Sequence, residues 1–234
     1  MTITSSRTFS KFTDKTAQSY LDTLLSAKQT PDVYRDTMKS LGVILGSKAV
    51  ELNWLDGPIL VASTAEDADF LTKGILDSIK KSSKTALSAV FWNNHYQLPG
   101  NAGSVAPVIH KYLQPGYQTA KTLIIAKSVI SGSCVVRTNL LALLESVDVE
   151  SIIIISPVMH KNSQANLLNE FPKSISKKFK FLYFAIDAEK DELGEVKPGI
   201  GGQIYKLLGL GDQPVSTGFV PQIVRENFNS LTNV

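Results

Sequence analysis

The feature that most limits how this chain can fold is a set of short, continuously apolar runs bounded by polar or turn-forming residues. They are PILVAS (Pro58–Ser63), TALSAVFW (Thr85–Trp92), TLIIA (Thr122–Ala126), SIIIIS (Ser151–Ser156) and KFKFLYFAI (Lys178–Ile186). A strand with one wet face alternates apolar and polar residues, whereas a run without alternation must be covered on both faces. Segments of helical character lie between the runs. Ser63 or Thr64 is placed to cap a helix over Ala65–Lys80, with Glu66 and Asp67 near its positive end. A helix over Val135–Val147 follows the small-residue turn Ser131–Ser133, and a shorter one lies near Gln164–Phe171. Two helices open the chain. The first carries Tyr20, Leu21, Leu24 and Leu25, and Pro31 divides it from a second with the stripe Val33, Tyr34, Met38, Leu41, Ile44 and Leu45. This alternation predicts an α/β fold: a mostly parallel sheet with helices on both faces.

Composition supports that core. Of 234 residues, 43% are hydrophobic and 19% charged, which excludes intrinsic disorder. Lys and Arg number 24 against 21 Asp and Glu, and a net charge of +3 is too mild to argue for nucleic acid or an anionic membrane. The basic run Lys173–Lys180 reads as a solvated edge. A single cysteine, Cys134, excludes a disulfide framework and any multi-cysteine metal site, and fits a reducing compartment. His95, His110 and His160 show no metal-ligand spacing. No apolar run approaches the roughly 18 residues that span a bilayer. The expected location is the cytoplasm. The polar first residues, with Arg7, Lys11 and Lys15 against Asp14, read as a short arm, with an organellar transit segment as the alternative.

In a parallel sheet, ligands bind beyond the carboxyl ends of the strands. Three segments gather there. KSVISGSC (Lys127–Cys134) lies between a strand and a helix, so its backbone N–H groups can curl toward an anion, with hydroxyls from Ser131 and Ser133. Asn93–Gly116 is too long for a plain connection and reads as a lid, an arm or an oligomer contact. The glycine-dense stretch around PGIGG (Pro198–Gly202) suits close backbone approach to a ligand.

Five segments in one order resemble uracil phosphoribosyltransferase. The opening helices resemble the family's N-terminal region, and GPILVAS (Gly57–Ser63) resembles its "VPILRAG" strand. APVIHKYLQP resembles the arm segment "EPVEYYAKLP", and TLIIAKSVISGSC resembles the phosphoribosyl-pyrophosphate loop "LLLDPMLATGGS". AIDAEKDELGEVKPGIG (Ala185–Gly201) matches "AID…LNE.GYIVPGLG" without a gap. The resemblance implies a phosphoribosyltransferase-like domain over 19–208, after an arm at 1–18 and before an extension at 209–234, with a protruding arm of its own. It implies a homodimer. It assigns phosphate binding to Ser131, Gly132, Ser133 and Cys134, and Lys127, which departs from the family's loop, is placed to join them at the phosphate. It assigns main-chain recognition of the base to Val196, Lys197, Pro198, Gly199, Ile200 and Gly201.

The charged ligands of that family are missing. Val61 and Trp92 stand where it keeps arginines, and Ala126 and Gly202 where it keeps aspartates. Phosphoribosyl transfer needs cationic groups on the departing pyrophosphate, carboxylates for the ribose, and Mg²⁺. The first reading is therefore a degenerate member: a non-catalytic binding, regulatory or scaffolding dimer that takes a phosphorylated metabolite or nucleotide, or a protein partner, with no cofactor. The alternative is an active, divergent transferase using Mg²⁺, with Lys127, Asp187, Asp191 and Glu192 as replacement groups. A nucleic-acid module using Lys173, Lys177, Lys178 and Lys180 ranks third.

Overall fold

The computed structural model describes residues 7–26, 28–98 and 103–232. A short strand β1 (Thr8–Phe9) and helices α1 (Lys15–Leu24) and α2 (Pro31–Glu51) lead into β2 (Ile59–Thr64). Helix α3 (Ala65–Asp67), one π-helical turn (Ala68–Thr72) and α4 (Lys73–Lys81) return the chain to β3 (Ala86–Asn93). A small hairpin, β4 (Tyr96–Gln97) and β5 (Ser104–Val105), precedes β6 (Val108–Leu113), β7 (Thr122–Ala126) and β8 (Val129–Ile130). Then come α5 (Cys134–Leu144), β9 (Ser151–His160), α6 (Ser163–Glu170), α7 (Lys173–Ser176) and β10 (Phe179–Asp187). The chain closes with β11 (Glu189–Lys190), β12 (Val196–Lys197), α8 (Ile204–Leu207), α9 (Pro214–Thr217) and α10 (Gln222–Thr232).

The main sheet runs β1-β10-β9-β7-β2-β3-β6, with β8 beside the far end of β9. Its five central strands are parallel, and the edge strands β1 and β6 are antiparallel. Both faces are covered, which is why the strands read as unbroken apolar runs. Ile59, Val61, Ile124, Ile153, Ile155, Leu182 and Phe184 enter the core under α1, α2 and α4. Their neighbours Leu60, Ala62, Leu123, Ile125, Ile152 and Ile154 enter the core under α5 and α6. At roughly 25 cal/mol per Å² of buried apolar surface, these two layers are the main stabilising force.

Helices α2 and α4 cross closely because Gly42 and Gly74 lie at the crossing. A Cβ on Gly42 would sit 2.2 Å from the Leu71 carbonyl oxygen, and one on Gly74 2.2 Å from that of Lys39. Thr30 caps α2 by accepting from Val33 N, with Pro31 in the first turn as its fixed φ predicts.

Local reading misplaces several boundaries. Helix α1 begins at Lys15 rather than near Tyr20, because the Asp14 carboxylate accepts from Ala17 N and caps it there. Strand β9 continues past Ser156 to His160. Thr64 sits at the cap position of α3, but its hydroxyl donates to Asp67 Oδ2 at 3.1 Å instead of accepting from the helix. The described part of 1–18 is no free arm: β1 pairs with β10 across Thr8–Ile186 and Phe9–Ala185. The tail beyond 208 is helical and docks on the body. Asp69, turned out by the π-helical turn, accepts from Gln222 N (2.8 Å) and Ile223 N (2.9 Å), and Trp92 Nε1 donates to Phe219 O at 2.7 Å.

Candidate functional site

The carboxyl ends of β2, β3 and β7 open into a cavity of about 490 Å³. That volume suits a small organic ligand. One wall is the turn after β8 and the start of α5, through Ile130, Ser131, Gly132 and Cys134. The facing wall is Lys190 with the chain from Leu193 to Val196 and from Gly202 to Tyr205. Thr64, Glu66, Asn93 and Lys127 form the floor, and His95 and Gln213 stand at the side.

The floor is built around a buried cation. Lys127 Nζ lies 2.8 Å from Asp67 Oδ2 and 3.2 Å from Glu66 Oε1. Side-chain exposure is 12% for Lys127, 8% for Glu66 and 2% for Asp67. Asp67 is saturated, since Oδ2 also accepts from Thr64 and Oδ1 accepts from Ser128 N at 3.3 Å. Burial alone would lower the Lys127 pKa; the charges of Asp67 and Glu66 outweigh it and raise it, so the amine stays an ammonium. Tyr205, on the facing wall, is held protonated: burial raises its pKa, and the charge of Glu66 raises it further. Tyr34, under the floor, is raised in the same way by burial and Asp67. His95 is lowered, by burial first and by Lys127 second, which favours the neutral imidazole. Gln213 holds the chain at His95, its Oε1 accepting from His95 N (2.8 Å) and its Nε2 donating to His95 O (2.9 Å).

Of the residues assigned to phosphate, Lys127, Ser131, Gly132 and Cys134 line the cavity. The Cys134 thiol donates to Ser104 O at 3.2 Å, and the Ser133 hydroxyl is turned aside to donate to Glu170 Oε1 at 2.6 Å. Of the base loop, only Val196 is on the wall. Lys197 pairs with Asp191 at 3.0 Å. Pro198, Gly199, Ile200 and Gly201 pass beneath it: Gly199 N donates to Asp187 Oδ2, Ile200 is buried, and a Cβ on Gly201 would strike Leu24 O at 2.0 Å. Among the positions with lost charges, Val61 and Ala126 are sealed in the apolar core, Trp92 holds the C-terminal segment, and Gly202 lines the cavity.

Of the replacement groups, Lys127 is on the floor and the three acids lie off the cavity wall. Asp187 is fully buried in a two-bond pair with Arg7. Asp191 accepts from Leu193 N and Glu195 N within its own turn. Glu192 is exposed and off the cavity wall. Glu66, Asp67, His95, Tyr205 and Gln213 are missing from the sequence-based set; two acids directly after a buried strand were the available signal. Among the described residues no group of three or more His, Cys, Asp or Glu could hold a metal. Mg²⁺ does not fit the floor, where the paired carboxylates already hold the Lys127 ammonium. No helix among the described residues is long and apolar enough to cross a membrane.

These elements make the molecule a mixed α/β protein with a ligand-sized cavity at the strand ends. No protein-family model matches the chain, and no curated protein matches it. Among solved structures, the AQ2163 protein from Aquifex aeolicus aligns with a TM-score of 0.65 at 13% identity, over 84% of this chain and 95% of that one. At that identity the likeness shows a shared fold alone. The hypoxanthine-guanine phosphoribosyltransferase of L. donovani aligns at 0.43 with 6% identity, over 68% of this chain and 81% of that one. The adenine phosphoribosyltransferase of Thermoanaerobacter pseudethanolicus aligns at 0.39 with 13% identity, over 62% and 80%.

Proposed function

We propose that this chain is a phosphoribosyltransferase-like protein without transfer activity, which binds a phosphorylated small molecule of nucleotide size in its cavity. The observation that carries the reading is the floor. Where transfer demands carboxylates free to hold Mg²⁺, both oxygens of Asp67 are engaged and Glu66 is tied to Lys127 through Oε1, and Val61 and Ala126 are sealed. The wall at Ser131–Gly132 keeps small residues at the amino end of an 11-residue helix, which suits one phosphate group. A homodimer, as in the resembling family, belongs to the same proposal.

Calorimetry with UMP, alongside a product assay with uracil, phosphoribosyl pyrophosphate and Mg²⁺, tests it. UMP is expected to bind, and no UMP to form. Gly132→Asp is expected to weaken binding, because a Cβ at Gly132 meets nothing within 4 Å while the new charge opposes the phosphate. Robust turnover would overturn the reading.

A further inference from the structure

The polar atoms of the floor are not all used. Glu66 Oε1 accepts from Lys127, but none of the floor's hydrogen bonds reaches Glu66 Oε2, which belongs to a residue on the cavity wall. Asn93, 8% exposed, spends both amide protons, on Ala106 O (3.0 Å) and Asn139 Oδ1 (2.8 Å), while its Oδ1 has no partner among the described residues. A buried acceptor without a donor, as at Asn93, costs about 1–3 kcal/mol, and a ligand that brings a hydrogen would complete it. Both open atoms are acceptors. A phosphate, which has acceptors and negative charge, would satisfy neither.

Charge points the same way. Glu195 is pushed upward by burial and the charge of Asp191. Even leaving it out, Glu66, Asp67 and Asp212 outnumber the lysines Lys127 and Lys190 in and beneath the lining. A pyrophosphate at this floor would meet an excess of negative charge. A second ammonium would meet Lys127. A neutral donor meets neither obstacle.

We propose that Glu66 and Asn93 form a hydroxyl-accepting subsite, which receives the vicinal hydroxyls of a ligand carrying at most one phosphate and rejects pyrophosphate. This rests on the reading that the cavity takes a phosphorylated ligand, with the phosphate on the opposite wall at Ser131–Gly132. Tyr205, kept protonated, closes the subsite from the facing wall.

The test is calorimetry on the full chain and on Glu66→Gln with UMP, 2′-deoxy-UMP, uridine and inorganic pyrophosphate. Gln keeps an oxygen for Lys127, which also retains Asp67. The native chain is expected to prefer UMP over 2′-deoxy-UMP by about tenfold or more, the worth of one hydrogen bond to a charged group. In Glu66→Gln that preference is expected to shrink toward unity, and pyrophosphate is expected not to displace UMP from the native chain. UMP binding with equal affinity for the deoxy form, or displacement by pyrophosphate, overturns the subsite while the phosphate reading stands. Uridine binding as tightly as UMP, with a preference that Glu66→Gln removes, supports the subsite and overturns the phosphate reading.

Discussion

Among the described residues, ion pairs are buried in two places, on either side of the 196–202 loop. In one, Asp187 accepts from Arg7 Nε and Nη2, each at 2.8 Å, and from Gly199 N at 2.8 Å, while Arg7 also donates to Gly199 O. One cation meets one anion there, and exposure is 4% and 0%. In the other, one cation, Lys127, meets two anions, Glu66 and Asp67, and Glu66 faces the cavity. The first cluster is complete, and its work is to fix the loop beneath the wall. The second is unbalanced and borders open space, which is the condition for a ligand to finish it. Burying a charge is expensive unless it is paired, so balance marks a structural cluster and imbalance a functional one.

The largest way to break this comparison is Asp187→Ala. Removing one partner of a sealed pair should cost about 3–5 kcal/mol, read by denaturant unfolding. A loss well below that range would deny the cluster its structural role.

Next is Lys127→Met, expected at neutral pH toward the lower end of that range, because the side chain is 12% exposed. Lys127→Met combined with Asp67→Asn should lose less, measured the same way, because one of the carboxylates left without its cation is then removed. A double variant no more stable than Lys127→Met alone would show that the carboxylates are not the partners that matter.

Alkali provides a third test. Lys127, Tyr34 and Tyr205 all have raised pKa values, so the folded state keeps protons that the unfolded chain gives up. Their contribution is fully present below the ordinary values, about 10 for tyrosine and 10.4 for lysine, and is lost as pH rises beyond them. Phenolate absorbance should therefore lag the ordinary titration and then rise together with unfolding.

The smallest effect is local. Gln213→Ala should cost about 1 kcal/mol or less and bring the His95 midpoint, read by NMR titration, up toward 6.5 as water reaches the ring.

The two clusters also mark how far sequence reasoning reaches. The strands were legible because a parallel sheet covered on both sides leaves no polar positions, as SIIIIS and TLIIA display. The turn at Ser131–Cys134 was legible because strand, small residues and helix are consecutive. The clusters were not. Arg7 and Asp187 are 180 residues apart, and the polar N-terminal residues read as an arm until β10 supplies a partner strand. Glu66 and Asp67 read locally as acids at a helix start, a sufficient explanation until the fold brings Lys127 to them from about 60 positions away. The PGIG loop looked like a contact surface because glycine permits close approach; the approach it makes is to Leu24 and Asp187, beneath the wall.

The hold of Gln213 on residue 95 has a consequence for how this cavity can change. Both bonds go to main-chain atoms, so the carboxamide imitates the rung of a β-ladder and is blind to the side chain it grips. The imidazole at 95 can be exchanged for another group, and the character of the ligand space altered with it, while the grip persists. Position 213 has no such freedom: a Glu of the same length would set a carboxylate oxygen against the His95 carbonyl and open the edge of the cavity.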